Sequence, residues 1–311
     1  MSVTAVSGHP DYTSSGASRY VPEIWSGKLI EKFYAATVFS DISNTMYQGE
    51  VKSQGDKVII RQIGNVTIND YQKGQKLNYE RLESTDVELL VDKGKSFSFT
   101  IDDVDAYQSD IRLMDEWSTD ASEQMKIKID TDVLGGVAAS AHASNYGATA
   151  GAISSGYNLG ASGAPIQITK ANVIEYILDC GTVLDEQNVP ESDRWMVIPS
   201  WMNNLLKKSD LKDQSMMNDG TPSILRNGRL GRLDRFTMYL SNNIDTATDS
   251  TGYTAYYALF GTKYAITFAS QIVKMESLRA ESTFGDLVRG LQVYGYKVIK
   301  PECLGYLYVR K

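Results

Sequence analysis

Phe97-Ser98-Phe99-Thr100-Ile101-Asp102-Asp103-Val104-Asp105-Ala106-Tyr107-Gln108-Ser109-Asp110 changes its period half way along. Up to Ile101 apolar and polar residues alternate, which gives a strand one apolar face. From Val104 the apolar residues Tyr107, Ile111, Met114, Ala121, Met125, Ile129 and Val133 follow at spacings of three, four or their sum. That spacing makes an apolar stripe on a helix. Asp102, Asp103 and Asp105 sit where a helix begins, and carboxylates there are favoured by the unpaired N–H groups of the first turn. The helix is expected to run to Gly135 or a few residues beyond. At the rise of an α-helix it spans roughly 45–60 Å, longer than an ordinary globular helix.

Upstream the period is two. Residues 57–61, 65–69, 86–91 and 96–101 alternate as strands do. Between Ile68 and Ser84 the chain is polar and charged, with Asp70, Lys73, Gly74, Lys76, Glu80, Arg81 and Glu83. The region reads as a long hairpin whose far half cannot build a core of its own. A hairpin of that kind needs a partner surface. Farther upstream, Pro22 and Glu23 suit a helix start, and Trp25, Leu29, Ile30 and Phe33 form a stripe. A helix is expected over 22–36. Residues 1–20 are rich in Ser, Gly and Thr and read as a mobile arm. They lack the apolar core and basic start of a signal peptide, so the chain is expected to be made and kept in the cytoplasm.

Downstream, five glycines between Tyr146 and Pro165 come without a lysine. A phosphate-binding loop needs GxxxxGK[ST], so the stretch reads as a flexible connection. Residues 166–275 read as a mixed α/β unit. It holds a helix capped by Thr169, a buried strand Trp195-Met196-Val197-Ile198 and a helix capped by Ser200. Strands follow at 236–241, 256–260 and 264–269, and the tail alternates again over 287–298 and 304–309.

Composition narrows the chemistry. The 311 residues carry 31 Lys and Arg against 38 Asp and Glu, a formal charge of −7, with 42% apolar residues. This is globular composition. Its acidic balance argues against a tight, sequence-independent grip on nucleic acid. The charge has an address. Residues 102–132 hold ten acids against Arg112, Lys126 and Lys128, so the rest of the chain sums to zero. Cys180 and Cys303 cannot supply a four-ligand zinc site alone, and neither His9 nor His142 sits in an HExxH, an HxH or a His/Cys cluster. His9 and His142 read as structural, and Cys180 falls on the apolar side of its helix. No GxSxG elbow is present, and the acidic pair Asp115 and Glu116 faces solvent, not a cleft. No catalytic residue, cofactor site or metal site is therefore assigned. Arg226, Arg229, Arg232 and Arg235 recur every third residue as a basic patch. With no aromatic residue interleaved, the patch reads as a solvated loop with intersubunit salt bridges in preference to a phosphate contact.

Four stretches, taken in order, resemble the HK97-fold coat proteins of tailed double-stranded DNA phages. The first is Val21-Pro22-Glu23-Ile24-Trp25-Ser26 with 39–44, and the second is the stretch quoted at the outset. The third is Leu184-Asp185-Glu186-Gln187-Asn188-Val189-Pro190 leading to Arg194, then Gly228, Gly231, Phe236 and Ser241-Asn242-Asn243. The fourth runs from Phe268 through Leu278-Arg279-Ala280-Glu281, Phe284-Gly285-Asp286 and Arg289-Gly290-Leu291 to Lys300-Pro301-Glu302.

The resemblance implies an α+β fold divided into five parts. An N-terminal arm and first helix cover 1–45, an extended hairpin loop 46–100 and the spine helix of a peripheral domain 101–145. A mixed α/β axial domain covers 146–275, and return strands of the peripheral domain 276–311. It implies a structural, non-enzymatic subunit of an icosahedral head built from hexamers and pentamers, found in the virion and assembled in the host cytoplasm. The expected partners are other copies of the chain, a separate scaffolding protein, a portal, a decoration protein and weakly held double-stranded DNA, with no membrane. Asn69, Lys73, Lys76, Arg279, Glu281, Asp286 and Arg289 are the expected contacts between subunits. Some members of the resembled family cross-link neighbours through Lys and Asn; for Lys73, Lys76, Asn69 and Asn78 no cross-link is expected. The competing readings are a bacterial encapsulin shell and, from a different class, an α/β enzyme.

Overall fold

The computed structural model describes residues 34–35, 37–47, 57–64, 66–76, 79–81, 84–103, 113–209, 232–250, 252–280 and 284–311. The arm and most of the expected first helix lie outside them; Tyr34 and Ala35, at its end, are not helical. Helix α1 is the short turn Phe39–Ile42.

The alternating stretches build three sheets among the described residues. Strand β1, Lys57–Gln62, pairs antiparallel with β2, Thr85–Leu90, from Lys57 opposite Leu90 to Gln62 opposite Thr85. Strand β3, Lys93–Asp102, lies beside β11, Gly285–Val298, which in turn pairs with β10, Ile266–Arg279. The largest sheet has seven strands. Its order is β4 (Ile166–Gln167), β12 (Leu304–Arg310), β9 (Thr254–Thr262), β5 (Arg194–Ile198), β7 (Phe236–Leu240) and β6 (Arg232–Leu233). Strand β8, Thr246–Thr248, pairs with β9.

Three longer elements complete the fold: α2, Leu113–Ala138; α3, Val173–Glu186; and α4, Ser200–Lys208. The main core joins the seven-stranded sheet to α3, α4 and the end of α2. Every residue of β5 is buried, as befits a strand flanked by β7 and β9. The buried Arg194 in it is satisfied by the carbonyls of Gly181, Val189 and Pro190 and by the Asp185 carboxylate at 2.7 Å. A buried guanidinium without such partners would be costly.

Helix α2 is two helices in environment. Ile129, Val133, Leu134 and Val137 are buried, whereas from Asp115 to Lys128 no residue is. Its 26 described residues span about 39 Å. Asp102 closes β3, held there by its pairing with Gly285, and the next residue, Asp103, is helical, so the helix opens within the acidic stretch as expected. The expected hairpin is corrected, because β3 leaves it. Phe97 and Phe99 need apolar cover, and pairing with β11 turns them towards α2, where Phe99 meets Trp117 edge-on at 6.0 Å.

Residues 66–69, expected as strand, join no sheet, since no described strand lies beside them. The glycine-rich stretch is a built loop and not a loose connection. Ala150 and Tyr157 exchange backbone hydrogen bonds, and Glu186 accepts from the N–H groups of Ile153 and Ser154 at 2.9 and 3.1 Å. Asn172 occupies the position given to Thr169, and Ser200 is the first helical residue after its N-cap, Pro199. Finally, 275/276 is not a sheet boundary. β10 begins at Ile266, and β12 belongs to the seven-stranded sheet because Leu304 to Arg310 pair with β9.

Candidate intersubunit surfaces

The β1–β2 hairpin is anchored at one end only. Ile60, Leu89 and Val91 are buried together with Ala269 and Ile299, and Gln62 donates from Nε2 to the Ile299 carbonyl at 2.9 Å. Alternation in both strands places these side chains on the same face. Beyond the base, apolar side chains stand exposed. Ile63 is 98% exposed, Ile68 88% and Tyr79 94%. Asn69, Lys73 and Lys76 are exposed around a turn closed by Gln75 N–H donating to the Gln72 carbonyl. Asn78 lies outside the described residues.

The three-stranded sheet has one face towards α2; its other face carries the hairpin base at Val293 and Gly295 and is open farther along, at Glu276 and Arg289. On the open face Glu276 and Arg289 stand directly opposite each other, and the guanidinium donates to Oε2 at 2.7 and 3.0 Å. The Arg289 guanidinium holds the Glu276 carboxyl below the usual carboxylate range. At the sheet end Arg279 donates to Asp103 at 2.9 Å and to Asp286 at 3.3 Å, which raises its own pKa. Three of the four charges expected between subunits are thus engaged within the chain, and Glu281 lies outside the described residues.

Two of the four arginines of the basic patch are described. Arg226 and Arg229 lie outside the described residues, and Arg232 is exposed on the β6 edge. Arg235 is paired with Asp185 at 2.8 Å and Glu191 at 2.9 Å, next to the buried Arg194. These partners lie in its own chain.

Two polar knots escaped the sequence reading. Asp130 is fully buried. Its Oδ1 accepts from the N–H groups of Val38 and Phe39, both at 2.9 Å, and its Oδ2 from Asn243 Nδ2 at 2.7 Å. One carboxylate so ties the chain before α1 and the loop after β7 to α2. Its signal was an acid inside the apolar run Ile129 to Val137. In the second knot Tyr294 donates to Asp132 at 2.8 Å, Lys93 to Asp132 at 3.3 Å and to Tyr296 at 2.8 Å. Burial and the Asp132 carboxylate push the Tyr294 hydroxyl up. Burial opposes the Lys93 ammonium, but the Tyr296 hydroxyl and Asp132 outweigh it and its pKa stands raised.

Cys180 and Cys303 are buried free thiols raised by desolvation, the opposite of activation. His142 is a local cap, its Nδ1 accepting from Ser144 N–H at 3.3 Å; His9 lies outside the described residues. Among the described residues no cluster of three metal-ligating side chains occurs, and no helix is long and apolar enough to cross a membrane.

Comparison with known proteins follows the same line. Residues 85–306 match the family model described as phage capsid protein. A solved structure from Mycobacterium phage Che8 is 26% identical, covering 92% of this chain and 96% of its own, with a TM-score of 0.74. The capsid structure of the cyanophage P-SCSP1u is 18% identical over the whole of both chains, with a TM-score of 0.70. The capsid of Ralstonia phage GP4 is 12% identical over 97% of each chain, with a TM-score of 0.64. No curated protein sequence matches.

Proposed function

The chain belongs to the phage capsid protein family, and from that premise we propose how its surfaces build the shell. It is a structural capsid protein of the virion, with the HK97-like fold, that self-assembles into capsomers. In our reading the β1–β2 hairpin of each copy lies over a neighbouring copy. The observation that carries this is its one-sided burial: a seated base, and a far half whose apolar residues are exposed among the described residues. Repeated around a ring, such a contact is heterologous and closes.

We assign α2 with β3, β10 and β11 to the peripheral domain, and the seven-stranded sheet with α3 and α4 to the axial domain. The axial domain then takes residues 146–265 together with β12. The hairpin loop comprises residues 46–92, and 1–45 is the arm. Asn69, Lys73 and Lys76 make the hairpin-tip contacts. Arg279, Glu281, Asp286 and Arg289 contact neighbours through the outer edges of pairs already formed within the chain. A double-mutant cycle on Arg279 and Glu281 without effect on assembly would remove them from the contact.

The structural subunit needs no enzymatic step, and assembly in the host cytoplasm uses a scaffolding protein and a portal. Double-stranded DNA touches the inner surface weakly and a decoration protein the outer one. The acidic segment 102–132 supports weak DNA contact, although Asp103, Asp130 and Asp132 spend their charge on Arg279, on N–H donors and on Lys93.

Electron microscopy of the expressed protein, with and without its neighbouring genes, tests the reading. Closed shells are expected, without a ladder of covalently linked bands in denaturing gels. A small species that never assembles under either condition overturns it.

A further inference from the structure

The first described residue is anchored on α2. Tyr34 donates its hydroxyl to Asp120 Oδ1 at 2.8 Å, and four residues later the Val38 N–H reaches Asp130 Oδ1 at 2.9 Å. Asp120 and Asp130 stand about 15 Å apart along the helix axis, which four residues of extended chain nearly span. Between these anchors the chain therefore follows α2 in the helix's own direction, and the chain before Tyr34 heads towards Trp117. A cleft of about 440 Å³ between α2 and β3 opens there. Phe97, Phe99, Trp117 and Met125 line it, and Asp120 itself forms part of its polar wall. Trp117, edge-on to Phe99, is 45% exposed.

The residues that end at this cleft suit it. Residues 25–33 lie immediately before Tyr34 and carry the apolar stripe Trp25, Leu29, Ile30 and Phe33. At helical spacing Lys28 and Lys32 flank that stripe one turn apart. The side of α2 that meets Tyr34 is acidic: its hydroxyl is raised first by the hydrogen bond to Asp120, with Glu123 and Glu116 adding to the effect. Apolar stripe and apolar cleft thus come with opposite charges beside them. A segment tethered next to its seat meets it at high effective concentration, so modest contacts suffice to hold it.

We propose that residues 25–33 seat on the cleft between α2 and β3 of their own chain, with the stripe against Trp117 and Phe99 and with Lys28 and Lys32 beside Glu116, Asp120 and Glu123. The acids in which the net charge is concentrated then receive bases from the same chain. This concerns the single subunit and does not depend on the shell reading above.

Limited trypsin digestion of the wild-type chain tests the seat. Cleavage after Lys28 and Lys32 is expected to be slower than cleavage after Arg19 by about tenfold or more, since a protease cuts only the released segment. Equal rates at the three sites overturn the proposal. Trp117→Ala is expected to bring Lys28 and Lys32 up towards the Arg19 rate, and an unchanged ratio in the folded variant overturns the role of the cleft. A cysteine pair, Lys28→Cys with Glu116→Cys, tests whose cleft is used. Cys180 and Cys303 are buried and do not compete. A short bis-maleimide is expected to join the pair within one chain, so that denaturing gels keep the mass of a single chain and peptide mapping finds the link. A product of two-chain mass, or no link, overturns seating on the chain's own cleft. Both readouts apply to free subunits and to particles alike, so a failure to form shells leaves them intact.

Discussion

The carbonyl oxygen of Leu90 lies 2.0 Å from where a β-carbon on Gly295 would stand. The end of β2 therefore crosses β11 at backbone contact, and the hairpin sits directly on the sheet. Gly295→Ala must push this crossing apart, because the obstacle is main chain and cannot rotate away. Overpacking of this kind costs about 1–3 kcal/mol. A lower melting temperature is expected, with faster proteolysis within 63–84 and loss of particles. Gly290→Ala is the comparison, since the atoms nearest its new methyl belong to the Phe97 ring, a side chain that can shift where main chain cannot. Equal behaviour of the two variants would contradict the account.

Asp130 predicts a second loss, this time of polar satisfaction. In Asp130→Ala the N–H groups of Val38 and Phe39 and the Asn243 amide lose their acceptor together. Each stranded buried donor costs about 1–3 kcal/mol. Asp130→Asn keeps one oxygen for the two backbone donors and is expected to cost less than half as much. Urea unfolding of both variants checks the order, and an alanine variant as stable as wild type would refute the tether.

The long helix, the hairpin base and most strands were legible because periodicity reports which face is covered. What the residues could not report was the partner of each face. Ser96 to Ile101 alternate identically whether the strand stays in the hairpin or joins β11. β12 has the same pattern whichever sheet receives it. The Tyr146–Pro165 loop looked flexible because its order comes from outside the stretch, from Glu186 and from Tyr308, whose carbonyl passes 2.2 Å from a β-carbon built on Gly160. Asp130 was only counted among the acids of its segment and Arg235 was read as a solvated charge, since a carboxylate or guanidinium in sequence does not announce the distant donors or acids that surround it. The exposed hairpin tip was legible for the opposite reason: apolar content too sparse for a core is a local property.

Acid should loosen the loop that Glu186 holds. The N–H groups of Ile153 and Ser154 keep its carboxyl below the usual range. A carboxylate lowered in the fold contributes stability that is present above the ordinary glutamate value of about 4.3 and is lost as pH falls through its folded value. Exchange at the Ile153 and Ser154 amides, corrected for intrinsic rate, is expected to stay protected at pH 7 and to lose protection in acid. Glu186→Gln should flatten that dependence. A wild-type profile already flat into strong acid would contradict the assignment.

Folding and assembly should separate along the length of the hairpin. Leu89 is buried at its base, so Leu89→Ala removes core packing at a cost of about 2–5 kcal/mol and weakens both the monomer and the particle. Ile68 is almost fully exposed in the single chain, so Ile68→Asp should change monomer stability by no more than about 0.5 kcal/mol. In the particle the same aspartate must enter a contact that Ile68 fills, where an unpaired charge cannot be accommodated. Unfolding midpoints are therefore expected to distinguish Leu89→Ala from wild type but not Ile68→Asp, while sedimentation shows particle loss in both. If Ile68→Asp still forms shells, the tip is not covered by a neighbour, and its exposed apolar residues need a different partner.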